Sequence, residues 1–507
     1  MIAAASAAVI AASAWCAPTE GEALHPREVA PGVHVLAFSD RYGSANAGWI
    51  AGEESAVLVG APHPDVVPRL LDEAARSTGK PVRIAILTHA RKGEEDAARA
   101  LAGKGVEVVA SPEAAARIRA AGWPDGGRLR EVNARASLPG STGVDFIPLG
   151  HAAGPGNAAV LAGGVLFAGE TCVNGPRAAL RGSSTERWIE ALRTLRSLRP
   201  APAVVVPGFG TVGGAEILER QERFLAEMRR QVAHGVARLW PIADVRRSVR
   251  IEPEWLVWMP YDTPTAEDID HVYGELTAPP FALPFDDGGG PPVLAVIGDS
   301  PHEPGHLEEG LRPAFREAGV QVRFAVDPRL LDAKSLERVK LLVILRDGAS
   351  WPDGPEKPSR GWMSPEVEAA IAAFVERGGA FLALHNATGL YPEGGPYLKL
   401  LGGTYNGHGP LERFRVTVKD PEHPITRGVE AYEVADEQHT PIPDLATVRI
   451  ILESRSAEGV KAPAGWVRDF GKGRVAYLAN GHTRDALNHP MYRRLLVNAV
   501  WWCLRLE

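Results

Sequence analysis

The chain has 507 residues, 45% hydrophobic and 23% charged, with a net charge of −7 at pH 7. That length holds two or three domains with full cores, and the absence of a basic surplus argues against a nucleic-acid partner, which would need its phosphates neutralised. Three cysteines, Cys16, Cys172 and Cys503, exclude a disulfide framework and a cysteine-rich metal site.

Residues Met1 to Ala14 are small and apolar, and Ala12-Ser13-Ala14 offers a small-x-small cleavage site. Residues 1–20 therefore read as an export signal, with a periplasmic location expected, although the usual basic start is missing and the first arginine is Arg27. Trp15 is too bulky for a lipidation signal at Cys16. No later stretch is apolar for long enough to span a bilayer.

Short strands are predicted at Val33–Phe38, Asn46–Ile50 and Ala56–Val59, and helical spacing follows from Pro64 to Ser77. Strand Val82–Leu87 ends in Thr88-His89-Ala90-Arg91-Lys92-Gly93-Glu94. Val106–Val109, Phe146–Leu149, Val165–Phe167 and Val204–Val206 continue the α/β pattern, the last two leading into Ala168-Gly169-Glu170 and Pro207-Gly208-Phe209-Gly210. Over about residues 29–275 these strand ends resemble the metallo-β-lactamase superfamily, an αββα sandwich. Of that family's first ligand group only His89 survives. His151 matches the next ligand in one register, Glu170 replaces the bridging aspartate, and Phe209 replaces the last histidine. A hydrolytic zinc site needs three or four ligands around one point with a position open to water. The resemblance therefore implies a degenerate domain, residues 29–276, serving structure or binding, with no zinc expected. The competing set is His89, Glu94, His151 and Glu170.

Residues 277–292 are dense in Pro and Gly and read as a linker. A second α/β domain is predicted over 293–507. Strands at Val293–Ile297, Val322–Val326 and Leu341–Leu345 are joined by a helix from Leu307 to Ala318. Ser364 and Pro365 start a helix, Gly378-Gly379 end it, and the apolar run Phe381–Leu384 is a strand covered on both faces. That order places His385 at the carboxyl end of a central parallel strand, where open α/β sheets bind ligands. A histidine, not a cysteine or serine, stands at this elbow, which argues against amidotransferase or esterase chemistry. The loop Gly298–His306 lacks the spaced glycines of a dinucleotide site, so NAD is not expected.

His385-Asn386, Gly402-Gly403-Thr404-Tyr405-Asn406-Gly407-His408, Asp436-Glu437-Gln438-His439 and Asn480-Gly481-His482, in this order over 291–507, resemble the ThuA-like (trehalose-utilisation) family. The resemblance implies a flavodoxin-type, class I glutamine-amidotransferase-like doubly wound sheet without the amidotransferase cysteine. The chain departs from the family's Asp-Glu-x-Tyr by having His439. The family is associated with keto-sugars, notably glycosides oxidised at carbon three, so the resemblance implies a lyase, hydrolase or isomerase acting on a sugar. His385, Glu437 and His482 are the candidate catalytic residues; His306, Asp436, His439 and Tyr405 are candidate substrate contacts. His385, His408 and His482 are candidate ligands of a divalent metal, with an acid–base pocket the other use of such groups. His423 reads as a turn brace. A non-catalytic carbohydrate- or partner-binding protein is the alternative. Oligomeric state is not legible.

Overall fold

The computed structural model describes residues 25–40, 43–138, 143–175, 180–250, 266–279 and 289–507. The expected export segment, residues 1–20, and positions 280–288 of the expected linker lie outside them. The chain forms two compact units, Met1–Arg229 with Ile251–His271, and Arg230–Arg250 with Val272–Glu507. Among the described residues no helix is long and apolar enough to cross a membrane.

Period-two alternation sorts the first unit's apolar side chains onto two faces. Leu36, Trp49 and Leu58 join Leu70, Leu101 and Ile118 in a core beneath the helices Val67–Thr78, Lys92–Gly103 and Pro112–Ala120. Their strand neighbours Val35, Ile50 and Val57 face Phe146, Val160 and Phe167 in a second core. The two halves of the strand network meet in one antiparallel pairing, Phe209 against Ala45. Helix Thr185–Arg196 covers the outer face of the second half, where Trp188 Nε1 donates to the Thr171 carbonyl. The layers are thus helix, sheet, sheet, helix. Two strands run further than the sequence predicts, Val165–Asn174 and Val204–Gly210. Their parallel pairing resumes after register shifts at Gly169, which carries Glu170 within a strand and not beyond its end.

In the second unit the sheet strands are β1 (Pro292–Ile297), β2 (Gln321–Ala325), β3 (Leu341–Leu345), β4 (Ala380–Leu384), β5 (His408–Val418), β6 (Tyr432–His439), β7 (Arg449–Arg455), β8 (Lys461–Phe470) and β9 (Gly473–Leu478). Their order is β2-β1-β3-β4-β9-β8-β7-β5-β6, parallel from β2 to β9 and antiparallel beyond. Every residue of β3 and β4 is buried, as expected where helices cover both faces. Helix α1 (Pro304–Glu317) packs on α3 (Pro490–Leu504). Helix α2 (Pro365–Glu376) has Ser364 as its N-cap, the serine Oγ accepting from the Val367 N–H. His423 caps the short turn Pro424–Thr426, its Nδ1 accepting from the Ile425 N–H. The parallel pairing brings the carboxyl ends of β1, β3, β4 and β9, adjacent in the sheet, to one edge.

Candidate metal and acid–base site

Each of those four strands ends in a polar turn. After β1 the chain reverses through Asp299–His302. The Asp299 carboxylate accepts from the His302 N–H at 3.0 Å and from the imidazole Nδ1 at 2.7 Å. After β4 the backbone bends at once, with His385 at φ +50°, a left-handed conformation that few side chains other than Asn, Asp and His adopt. The turn after β9 passes so close that a Cβ on Gly481 would stand 3.2 Å from the His385 Cβ. Asp436 on β6 holds that turn from beneath. Its carboxylate accepts from Asn480 Nδ2 and from the Gly481, His482 and Thr483 N–H groups.

The result is a convergence of His302, His385, Glu437 and His482, one ligand atom from each lying within 4.8 Å of all the others. His302 Nε2 is 3.0 Å from His482 Nδ1, which is 3.2 Å from Glu437 Oε2. His385 Nε2 is 3.7 Å from the same oxygen. Two imidazoles are fixed through their other nitrogen: His302 by Asp299, and His385 by the Ala479 carbonyl, 2.9 Å from Nδ1. That leaves His385 Nε2 buried with no hydrogen-bond partner and facing the cluster. Asn386 Nδ2 donates to the second Asp299 oxygen at 2.6 Å. Carboxylates and carbonyls behind imidazoles are the arrangement that orients metal ligands, and three nitrogens with one oxygen suit a first-row divalent cation.

The electrostatics follow from the geometry. Burial disfavours the charged form of Glu437, but the imidazoles of His385, His439 and His482 around it hold its carboxyl well below the usual range. Burial likewise works against protonated His385, yet Glu437, Asp436 and the Ala479 carbonyl raise it. His439, buried and beside the His385 charge, is pushed down to about 3.

The structure thus brings His385, Glu437 and His482 together, and His302 takes the fourth place. His408 lies at the rim: its Nδ1 donates to the Gly409 carbonyl at 2.7 Å, and it stands 3.8 Å from Glu437. His439 lies against His385 with ring centroids 4.0 Å apart and the rings tilted by 39°, and Tyr405 meets His439 edge-on at 5.5 Å. His306 is in the first turn of α1, where its N–H is capped by Glu303, and it is not among the four. Asp436 is fully buried, its oxygens occupied by the 480–483 turn, which it braces. His302, Asp299 and Asn386 were not among the residues the sequence suggested. Asp299-x-x-His302 directly after a predicted strand was the available signal. With Glu303 as cap and Pro304 at the first helical position, His306 belongs to the helix and His302 to the loop.

In the first unit, His89 Nε2 lies 2.6 Å from Glu94 and 3.8 Å from Glu170, and the Arg91 guanidinium pairs with Glu170. His151 makes its contacts to Glu113 and the Gly182 carbonyl.

Residues 293–503 match the ThuA family, described as trehalose utilisation. Solved structures similar to the N-terminal part include TMB-1 and the metallo-β-lactamases from Hirschia baltica and Pontibacter korlensis, at 20%, 20% and 19% identity. Each covers 40% of this chain, with 97%, 98% and 99% of its own length aligned and a TM-score of 0.36. No curated protein matches the chain.

Proposed function

We propose that the ThuA-type second unit is a carbohydrate-active enzyme acting on keto-sugars, in particular 3-keto-glycosides, at the His302, His385, Glu437 and His482 cluster. The observation that carries this reading is the buried, unpartnered His385 Nε2 aimed at three further ligand atoms. His302, His385 and His482 would hold a divalent cation with Glu437 beside it, and such a cation polarises a ketone and the C–H bonds next to it. Glu437 takes the proton from the carbon next to the ketone. Its Oε2 lies 3.2 to 3.8 Å from His482, His385, His408 and His439, so a proton gained there is shared with an imidazole. Tyr405 and His408 form a half-open wall on which a sugar ring can lie. We read the first unit as a degenerate domain serving binding or structure, with Arg91 in the role of a fixed cation.

The test is metal analysis of the full chain together with turnover of 3-keto-glucosides. Stoichiometric metal lost in His385→Ala, with loss of turnover, supports the reading. Tight sugar binding without turnover would instead make the protein a carbohydrate-binding one.

A further inference from the structure

We infer that Asp347 is the acid that protonates the departing glycosidic oxygen at this site, an assignment that rests on the keto-glycoside reading above. Asp347 stands two residues after β3, and β3 lies between β1 and β4 in the sheet. It therefore sits at the same carboxyl edge, between the turn that carries His302 and the turn that carries His385. The Asp347 N–H donates to Asp299 Oδ2 at 2.9 Å, which ties its loop to the carboxylate behind His302. On the other side is Gly389: a Cβ built there would lie 3.7 Å from Tyr405 Cγ and 3.9 Å from Asp347 Cβ. Asp347 and Tyr405 thus both pack against the buried Gly389, at the edge where the His302 and His385 turns meet.

The neighbouring carboxylates are already engaged. Asp299 serves His302, Asn386 and the Asp347 backbone, and Asp436 serves the 480–483 turn. The nearby guanidinium groups direct their N–H bonds to carbonyls, Arg346 to those of Asp347, Ala237 and Ala349, and Arg238 to those of His234 and Ser300. Asp347 Oδ1 accepts from the Ala349 N–H at 2.9 Å. Burial and then the Asp299 charge push the Asp347 carboxyl up to about 7, against the pull of the Ala349 N–H, Arg346 and Arg238. A carboxyl so placed keeps its proton near neutral pH, as a general acid requires.

The step balances as an elimination. The proton on C2, next to the C3 ketone, passes to Glu437. The C–H electron pair forms the C1–C2 double bond, and the C1–O bond breaks with its pair going to oxygen. Asp347 gives that oxygen its proton, so the products are an enone and an alcohol. Solvent exchange returns the proton from Glu437 and reprotonates Asp347.

The experiment compares methyl and 4-nitrophenyl 3-keto-glucosides on the full chain, because nitrophenolate leaves without protonation and methoxide does not. Asp347→Asn is expected to lower kcat on the methyl glycoside by about 100-fold or more, with the nitrophenyl glycoside nearly unchanged and metal content retained. In the unmodified protein, kcat should fall above neutral pH for the methyl glycoside and stay flat there for the nitrophenyl one, a reading that does not depend on the variant folding. Equal losses on both substrates, or the same alkaline profile for both, would overturn the assignment. An unmodified protein that turns over neither glycoside overturns the keto-glycoside reading, and this assignment with it.

Discussion

His302 Nε2 and His482 Nδ1 stand 3.0 Å apart although the two residues are separated by 180 positions in the chain. Since the Nδ1 of His302 is spent on Asp299, its Nε2 presents a lone pair to His482. Two such nitrogens face each other only with a proton or a cation between them, and Glu437 supplies the compensating negative charge 3.2 Å from His482.

In the metal reading proposed above, Asp299 would set the affinity for the cation without touching it. Asp299→Asn keeps the shape of the turn but removes the charge that orients and strengthens the His302 imidazole. Metal affinity, read by competition with a chelating dye, should fall by about 10- to 100-fold. An unchanged affinity would show that His302 is not a ligand.

In the proposed reaction Glu437 is the proton acceptor, and Glu437→Gln leaves a side chain of the same shape in a partly open position. Turnover of a 3-keto-glycoside should drop by about 100-fold or more, while the thermal midpoint moves little. Wild-type kcat in the variant would remove Glu437 from the chemistry.

Asp436 is expected to behave oppositely. Four donors from residues 480–483 end on its two oxygens, and hydrogen bonds to charged acceptors contribute roughly 1.5–3 kcal/mol each. Asp436→Ala should cost at least about 3 kcal/mol of stability in denaturant titration, since it strands buried donors. A stable variant with weakened sugar binding alone would return Asp436 to the substrate-contact role.

How far this site was legible depends on what positions each residue. His385 and His482 could be found because the apolar strands before them, Phe381–Leu384 and Val475–Leu478, are unmistakable, and a doubly wound sheet gathers strand ends at one edge. His302 was missed because the loop after β1 holds two histidines, and choosing between them needs the start of α1, fixed by Glu303 and Pro304. Asp347 and Asn386 could not be singled out at all: nothing in their local sequence shows that both turn toward Asp299. In the first unit, the apolar alternation revealed the strands. The run of the strand through Glu170 depends on a register shift that only pairing with its neighbour defines.

The last prediction concerns the pH dependence of the first unit. Burial opposes a charge on His89, but the Glu170 and Glu94 charges and the Glu94 hydrogen bond outweigh it and push the imidazole up to about 9 from 6.5. A group whose folded pKa is raised takes up protons on folding at intermediate pH. Its contribution is fully present below about 6.5 and is lost as pH rises through about 9. Arg91 pairs with Glu170 throughout this range, so the loss belongs to the imidazole. Thermal unfolding of the full chain, followed by a probe placed in the first unit, should therefore show that unit weakening between pH 6.5 and 9. His89→Gln should be less stable at pH 6 and show a flatter profile over the same interval. A profile in the unmodified protein that rises across this window would mean that His89 is held neutral between its two carboxylates.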